Sequence, residues 1–162
     1  MSDDWTLGDD DLEIIFKYIK ENKPKVIVEL GSGKSTVKIA KMLDYPCEFY
    51  SYEGRPEFWS TTKKKVKGLN VKLIHSPYHR REDGTVWFNE EDFKVDIDLL
   101  IIDAPEQIIG KNSRMLPQSI KAKTKFAFLH DMQRPEEKII ANLLGEPIFY
   151  HTKWGLCLIK IC

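Results

Sequence analysis

Residues 26–40 read VIVELGSGKSTVKIA, and the fold turns on how this stretch is parsed. Its second half, Gly31-Ser32-Gly33-Lys34-Ser35-Thr36, matches the end of a nucleotide-binding P-loop. Its first half, Glu29-Leu30-Gly31-Ser32-Gly33, matches the glycine turn that joins a strand to a helix at a nucleoside-cofactor site. A P-loop requires G-x-x-x-x-G-K-[ST], which puts its first glycine at position 28, where the chain has Val28. The missing glycine matters because that loop must wrap its backbone N–H groups around a phosphate. Val28-Glu29-Leu30 instead continues an apolar strand, and a strand moved upstream would have to include Pro24. The cofactor turn has no such conflict. Gly31 permits the tight turn, Gly33 allows close approach of a ligand, and Ser35 opens a helix.

Outward from this turn the chain alternates. Residues 9–22 place Leu12, Ile15, Phe16 and Ile19 on one helical face, with acids in the first turn where the helix dipole favours them. Short apolar strands then recur: KVIVEL, CEFYSYE, VKLIH, IDLLIID and KFAFLH. Between and after them, helices are predicted over 34–44, 56–68, about 113–122 and 135–144. Continuous apolar strands imply burial on both faces, hence a parallel sheet between two helical layers. The ending, EPIFYHTKWGLCLIKIC, predicts two strands joined by a tight Thr-Lys-Trp-Gly turn, which requires antiparallel pairing. The expectation is one α/β domain over residues 1–162: a Rossmann-like three-layer sandwich whose seven-stranded, mostly parallel sheet ends in an antiparallel hairpin.

Charge narrows the partners. Twenty-five basic and 25 acidic side chains cancel among 162 residues. That balance disfavours nucleic acid or an anionic membrane as the main partner. The KKKVK run at 63–67 reads as the solvated face of a helix. Cys47, Cys157 and Cys162 have no metal-ligand spacing, and an odd number without a CxxC pair suggests reduced thiols in the cytoplasm. The beginning MSDDWTLGDDD has no apolar signal core, and no apolar run reaches membrane-spanning length.

Twenty residues after Gly33, the second strand ends in Glu53-Gly54. A carboxylate there can accept both hydroxyls of a ribose. The third position of a dinucleotide fingerprint is Thr36, and Glu29 beside the turn would repel pyrophosphate. A nucleoside with an amino-acid tail suits these residues better. At this point ELGSGKST, YEG and DLLIIDAP together resemble the class I S-adenosylmethionine-dependent methyltransferases, most closely small ones whose turn reads ELGSG-x-ST. The likeness extends to Arg114 with Pro117 and to HDMQRPEE, covering nearly the whole chain. It implies that Glu29, Gly31 and Gly33 line the methionine moiety, with Ser32 and Ser35 in the same turn, and that Glu53 and Gly54 meet the ribose. The chain departs from that pattern with Ser35 in place of a third glycine. After the third strand it has Ser76 where many relatives place an acid near the adenine.

The carboxyl ends of the strands form the ligand edge of such a sheet. Asp103, His130 and Asp131 end the fourth and fifth strands there and are the candidate catalytic groups, to orient or deprotonate an acceptor. Asp103 reads equally as a cap for the following segment, and His130 as a hydrogen-bonded core residue. Asp103 and Asp131 could together hold a divalent cation, as related metal-dependent enzymes do, but Met132 stands where those enzymes usually have asparagine; no metal is assigned. Two long loops, 76–95 and 104–113, overhang the same edge. Trp87 is a candidate substrate wall and Arg114 a candidate clamp for an anionic substrate. The predicted activity is methyl transfer from S-adenosylmethionine to an oxygen or nitrogen of a small-molecule acceptor. Its rivals are a P-loop nucleotidase or kinase, and a non-catalytic protein that keeps the fold.

Overall fold

The computed structural model describes residues 6–105 and 114–162. Helix α1 (Asp9–Asn22) buries Leu12, Ile15 and Ile19, the stripe its apolar spacing requires, and ends at Lys23 in the left-handed region. Strand β1 (Val26–Leu30) is buried from Ile27 onward. Next come α2 (Lys34–Met42), β2 (Glu48–Glu53), α3 (Pro56–Lys65) and β3 (Lys72–His75). Two short strands follow, β4 (His79–Arg80) and β5 (Val86–Trp87), before β6 (Ile97–Ile102). The last elements are α4 (Gln118–Lys121), β7 (Thr124–His130), α5 (Pro135–Leu144), β8 (Gly145–Tyr150) and β9 (Leu156–Ile161).

The main sheet has seven strands in the order β3-β2-β1-β6-β7-β9-β8. The first five run parallel; β9 is antiparallel to β7, and β8 to β9. Gly155 closes the last hairpin, donating its N–H to the Thr152 carbonyl at 3.2 Å as the predicted turn requires. One face of the sheet packs on α1 and α2 through Ile15, Ile19, Ile39 and Phe128. The other packs on α4 and α5 through Ile120, Ile140, Ala141 and Leu144, extended by Trp87, Phe88 and Phe93. The chain leaves β1 toward β2 on one side and returns to β6 on the other. Such a reversal of strand order leaves a crevice at the carboxyl ends. Two bonds seat that crevice: Gly31 N–H to Tyr52 O at 2.9 Å, and Asp103 N–H to Leu30 O at 3.1 Å.

Local boundaries depart from expectation for visible reasons. Leu43 caps α2, and α3 stops at Lys65 with Val66 turned inward. Helix α4 is a single turn that starts after Pro117, whose ring suits the beginning of a helix; the first predicted residue, 113, lies outside the described residues. The predicted long loop 76–95 is partly ordered as the β4–β5 hairpin, whose Asp83-Gly84 turn is held by Arg81 N–H to Thr85 O at 2.8 Å. Among the described residues no helix is long and apolar enough to cross a membrane. All three cysteines are free thiols. Lys63, Lys64 and Lys65 are exposed, as a solvated helix face requires.

Candidate active site

The two glycines of the turn differ in why they are glycine. Gly31 has φ +94°, and a Cβ there would lie 3.0 Å from the Ala104 Cβ, so both backbone and neighbours demand it. Gly33 has an extended backbone, φ 166°, and a Cβ would meet nothing within 4 Å. Neither strain nor packing requires glycine at 33. What its absent side chain leaves is open room beside the backbone at the mouth of the crevice.

Beneath the turn, Glu29 is fully buried and accepts three hydroxyl bonds. Ser35 Oγ donates to Oε1, while Thr36 Oγ1 and Ser51 Oγ donate to Oε2 at 2.6 and 2.7 Å. Burial pushes the carboxyl up to about 7, against the opposing pull of those hydroxyls. Thr36 Oγ1 also accepts the Gly33 N–H at 2.9 Å. Glu29 and Ser35 therefore tie β1, β2 and the first turn of α2 together below the crevice. They do not line it, contrary to expectation for Glu29. In a parallel sheet both faces are covered, and strand-end position alone does not say which way a side chain turns.

Glu53 faces the turn from β2. Its Oε2 accepts the Ser32 N–H at 3.0 Å and the Ser32 hydroxyl at 3.1 Å, and its Oε1 accepts the Arg55 N–H at 2.9 Å. The carboxylate is thereby preoriented against Ser32, next to the open face of Gly33. Gly54 is explained by packing: a Cβ would come 2.3 Å from the Tyr78 ring, which lies over it. Ser76 is turned away from the crevice. It is fully buried, donates to Asp92 Oδ2 at 2.7 Å and accepts the Asn89 N–H at 3.1 Å, bracing the loop that leads to β6.

The candidate catalytic residues meet in one ion-pair network. His130 Nδ1 lies 2.9 Å from Asp103 Oδ1, and on its other side Nε2 lies 3.1 Å from Asp11 Oδ2, a contact oblique to the hydrogen-bond direction. Asp131 Oδ1 is 3.5 Å from the same ring. Arg114 reaches Asp131 Oδ2 at 2.7 Å, and its guanidinium also donates to the carbonyls of Pro105, His130 and Asp103. Burial alone would drive the His130 ring toward neutrality. The hydrogen bond to Asp103, the Asp11 carboxylate against Nε2 and the charges of Asp103 and Asp131 overcome this and raise it to about 10. Asp131 adopts φ +64°, uncommon for a non-glycine residue and held here by the network around it.

These contacts reassign several predicted roles. His130 is sealed and doubly engaged, so it does not serve as a free base for an acceptor proton. Arg114 is buried against two carboxylates and is not a free clamp for an anion. Trp87 is 2 % exposed and packs on Phe88 and Phe93 as core, its edge bordering a cavity with Val86, Met115 and Leu116. Arg134 sits 3.9 Å from Glu137 and 3.4 Å from Asp131 Oδ2, joining α5 to the network. Asp103 is the most accessible carboxylate of the group, with 12 % of its side chain exposed against 6 % for Asp131 and none for Asp11.

Asp103, His130 and Asp131 offer ligand atoms within 4.8 Å of one another. The Arg114 guanidinium occupies the position from which a cation would bridge the acids. With Arg114 between them, the residues form an internal ion-pair network, and no metal is assigned to it.

No protein-family model and no curated protein matches the sequence. Solved structures do match it. An O-methyltransferase from Bacillus cereus, in complex with SAH, superimposes with a TM-score of 0.70 at 10 % identity, over 98 % of this chain and 83 % of that one. An O-methyltransferase from Streptomyces achromogenes involved in tomaymycin synthesis, in complex with SAM, gives 0.66 at 12 % identity, over 98 % and 82 %. At such identities the likeness establishes the fold: the Rossmann-like sandwich with a terminal antiparallel hairpin.

Proposed function

We propose that the protein is an S-adenosylmethionine-dependent methyltransferase acting on an oxygen or nitrogen of a small-molecule acceptor. The observation that carries this is the open face of Gly33 beside the preoriented Glu53 carboxylate, at the reversal of strand order. The cofactors in the two structural neighbours agree with it. Gly31, Ser32 and Gly33 would hold the methionine end, and Glu53 the ribose, where a carboxylate accepts hydroxyl hydrogen bonds. Gly54 borders the ribose end through Tyr78, while Glu29 and Ser35 support the turn from below.

The bound cofactor supplies an electrophilic methyl group on a sulfonium. The chain's task is to place an acceptor in line with it, and positioning of this kind supplies much of the rate. Asp103 Oδ1 is committed to His130, and Oδ2 makes no hydrogen bond to the described residues. Oδ2 is thus the atom that accepts the acceptor's O–H or N–H hydrogen and draws off the proton as the nucleophile is alkylated. His130 and Arg114 hold the Asp103 side chain in place for that role. A panel of small hydroxylated and amine compounds, incubated with cofactor labelled in the methyl group, tests the proposal. Transfer of label with equimolar S-adenosylhomocysteine is expected. Bound cofactor without transfer to any acceptor would favour a non-catalytic protein.

A further inference from the structure

Asp11 was read in the sequence as one of several acids that complement the α1 dipole, but the structure gives it a second contact. Its Oδ2 accepts the Gly8 N–H at 2.9 Å, closing the first turn of α1, and lies 3.1 Å from His130 Nε2. Both side chains are fully buried. Burial would raise the Asp11 carboxyl, yet the neighbouring His130 ring and Thr152 hydroxyl and the bond from the Gly8 N–H bring it below its ordinary range. A neutral imidazole has one N–H and one lone pair. With carboxylate oxygens 2.9 Å from Nδ1 and 3.1 Å from Nε2, either neutral tautomer would leave an uncharged ring between two buried anions. Only the imidazolium sets a positive charge against the carboxylates on both sides. It also joins Arg114 and Arg134 in balancing the carboxylates of Asp11, Asp103 and Asp131.

We propose that Asp11 is a positioning residue for the reaction, holding the far side of the His130 ring so that His130 stays cationic and presents Asp103 to the acceptor. This rests on the methyltransferase reading above. The groups that face the ring are Asp11 from α1, Asp103 after β6, Asp131 after β7, and Arg114 through Asp131. Of these, Asp11 alone touches Nε2 and lies outside the acceptor edge. Its loss therefore acts through His130 and not by direct contact with substrate.

Nitrogen NMR of the His130 ring in the full-length wild-type chain at pH 8 is the first measurement, since it needs neither turnover nor a variant. Two protonated ring nitrogens are expected; a neutral ring overturns the proposal. In Asp11→Asn the ring should become neutral at the same pH. There kcat should fall roughly 10- to 100-fold, the range seen when a group that orients a ligand is lost, with KM for cofactor and acceptor little changed. Asp11→Glu, which restores the charge, should recover part of the loss. A ring still cationic in Asp11→Asn, or a neutral ring with wild-type kcat, overturns it. A wild type with the expected imidazolium but no transfer to any acceptor sinks the methyltransferase reading, and with it the catalytic part of this proposal.

Discussion

Replacing the two glycines of the β1–α2 turn should have opposite consequences, because the structure gives them different reasons to be glycine. In Gly33→Val the new side chain enters open space on an extended backbone. Without ligand, stability should therefore stay within about 1 kcal/mol of wild type. A ligand lying against that backbone would sit at ordinary contact, about 3.5–4 Å between carbons, and would overlap the added branches. Forcing extra carbons into a filled space costs about 1–3 kcal/mol, a loss of roughly 5- to 150-fold in cofactor affinity. In Gly31→Ala the positive φ costs about 1–2 kcal/mol, and crowding against Ala104 at 3.0 Å adds to it. That variant should lose stability before any ligand is added. Urea denaturation of the free proteins and calorimetric titration with S-adenosylhomocysteine separate the two effects. Wild-type affinity in Gly33→Val would refute the placement of the ligand on Gly33. Equal destabilisation by both substitutions would refute the distinction between them.

Three further outcomes follow from the same geometry. Asp103→Asn should leave cofactor affinity nearly unchanged and lower turnover about 10²–10⁴-fold; wild-type turnover would leave Asp103 a purely structural partner of His130. Glu53→Gln weakens charged hydrogen bonds from both the Ser32 turn and the ribose. Cofactor binding should drop by about 1.5–3 kcal/mol per charged bond lost, and the free protein should also melt earlier, which a differential scanning measurement would register. Stability should depend on pH through two groups whose folded values are raised. The contribution of His130 is fully present below about 6.5 and is lost as pH rises through about 10. That of Glu29 is full below about 4.5 and is lost as pH rises through about 7. Urea-derived stability should accordingly fall between pH 7 and 10, and His130→Gln should flatten that limb.

What could be read from the sequence was local. A strand that runs into Gly31-Ser32-Gly33 and a helix that starts at once are neighbours along the chain, so the turn, the five parallel strands and the final hairpin were all legible. The β4–β5 hairpin also had a local sign, Asp83-Gly84, that was passed over inside a long loop. The roles of side chains at the sheet edge were harder, because they depend on which strand ends come together. Arg114 and Trp87 have the chemistry of substrate contacts, yet Asp103 and Asp131 on two other strand ends bury the first, and the way its loop folds back packs the second on Phe88 and Phe93. Asp11 did leave a signal. It precedes Ile15 and Ile19 at four-residue steps, so it lies in phase with the buried stripe of α1. An acid on the apolar face of a helix needs a buried cation, and His130 is that cation. Glu29 is the converse case: its partners Ser35, Thr36 and Ser51 are hydroxyls, which carry no charge pattern for a sequence to display.

Calorimetric titration of the wild-type chain with S-adenosylhomocysteine, alongside ATP with magnesium, tests the central claim most directly. Gly31, Ser32 and Gly33 form a short turn between β1 and α2, and Val28 lies within the strand, so no loop wraps a triphosphate. The expected result is saturable binding of one adenosyl ligand per chain and no heat from the ATP complex. At about 100 times its dissociation constant that ligand should also stabilise the fold by roughly 2.7 kcal/mol. Binding of ATP with magnesium, and none of the adenosyl ligand, would contradict the assignment of the site.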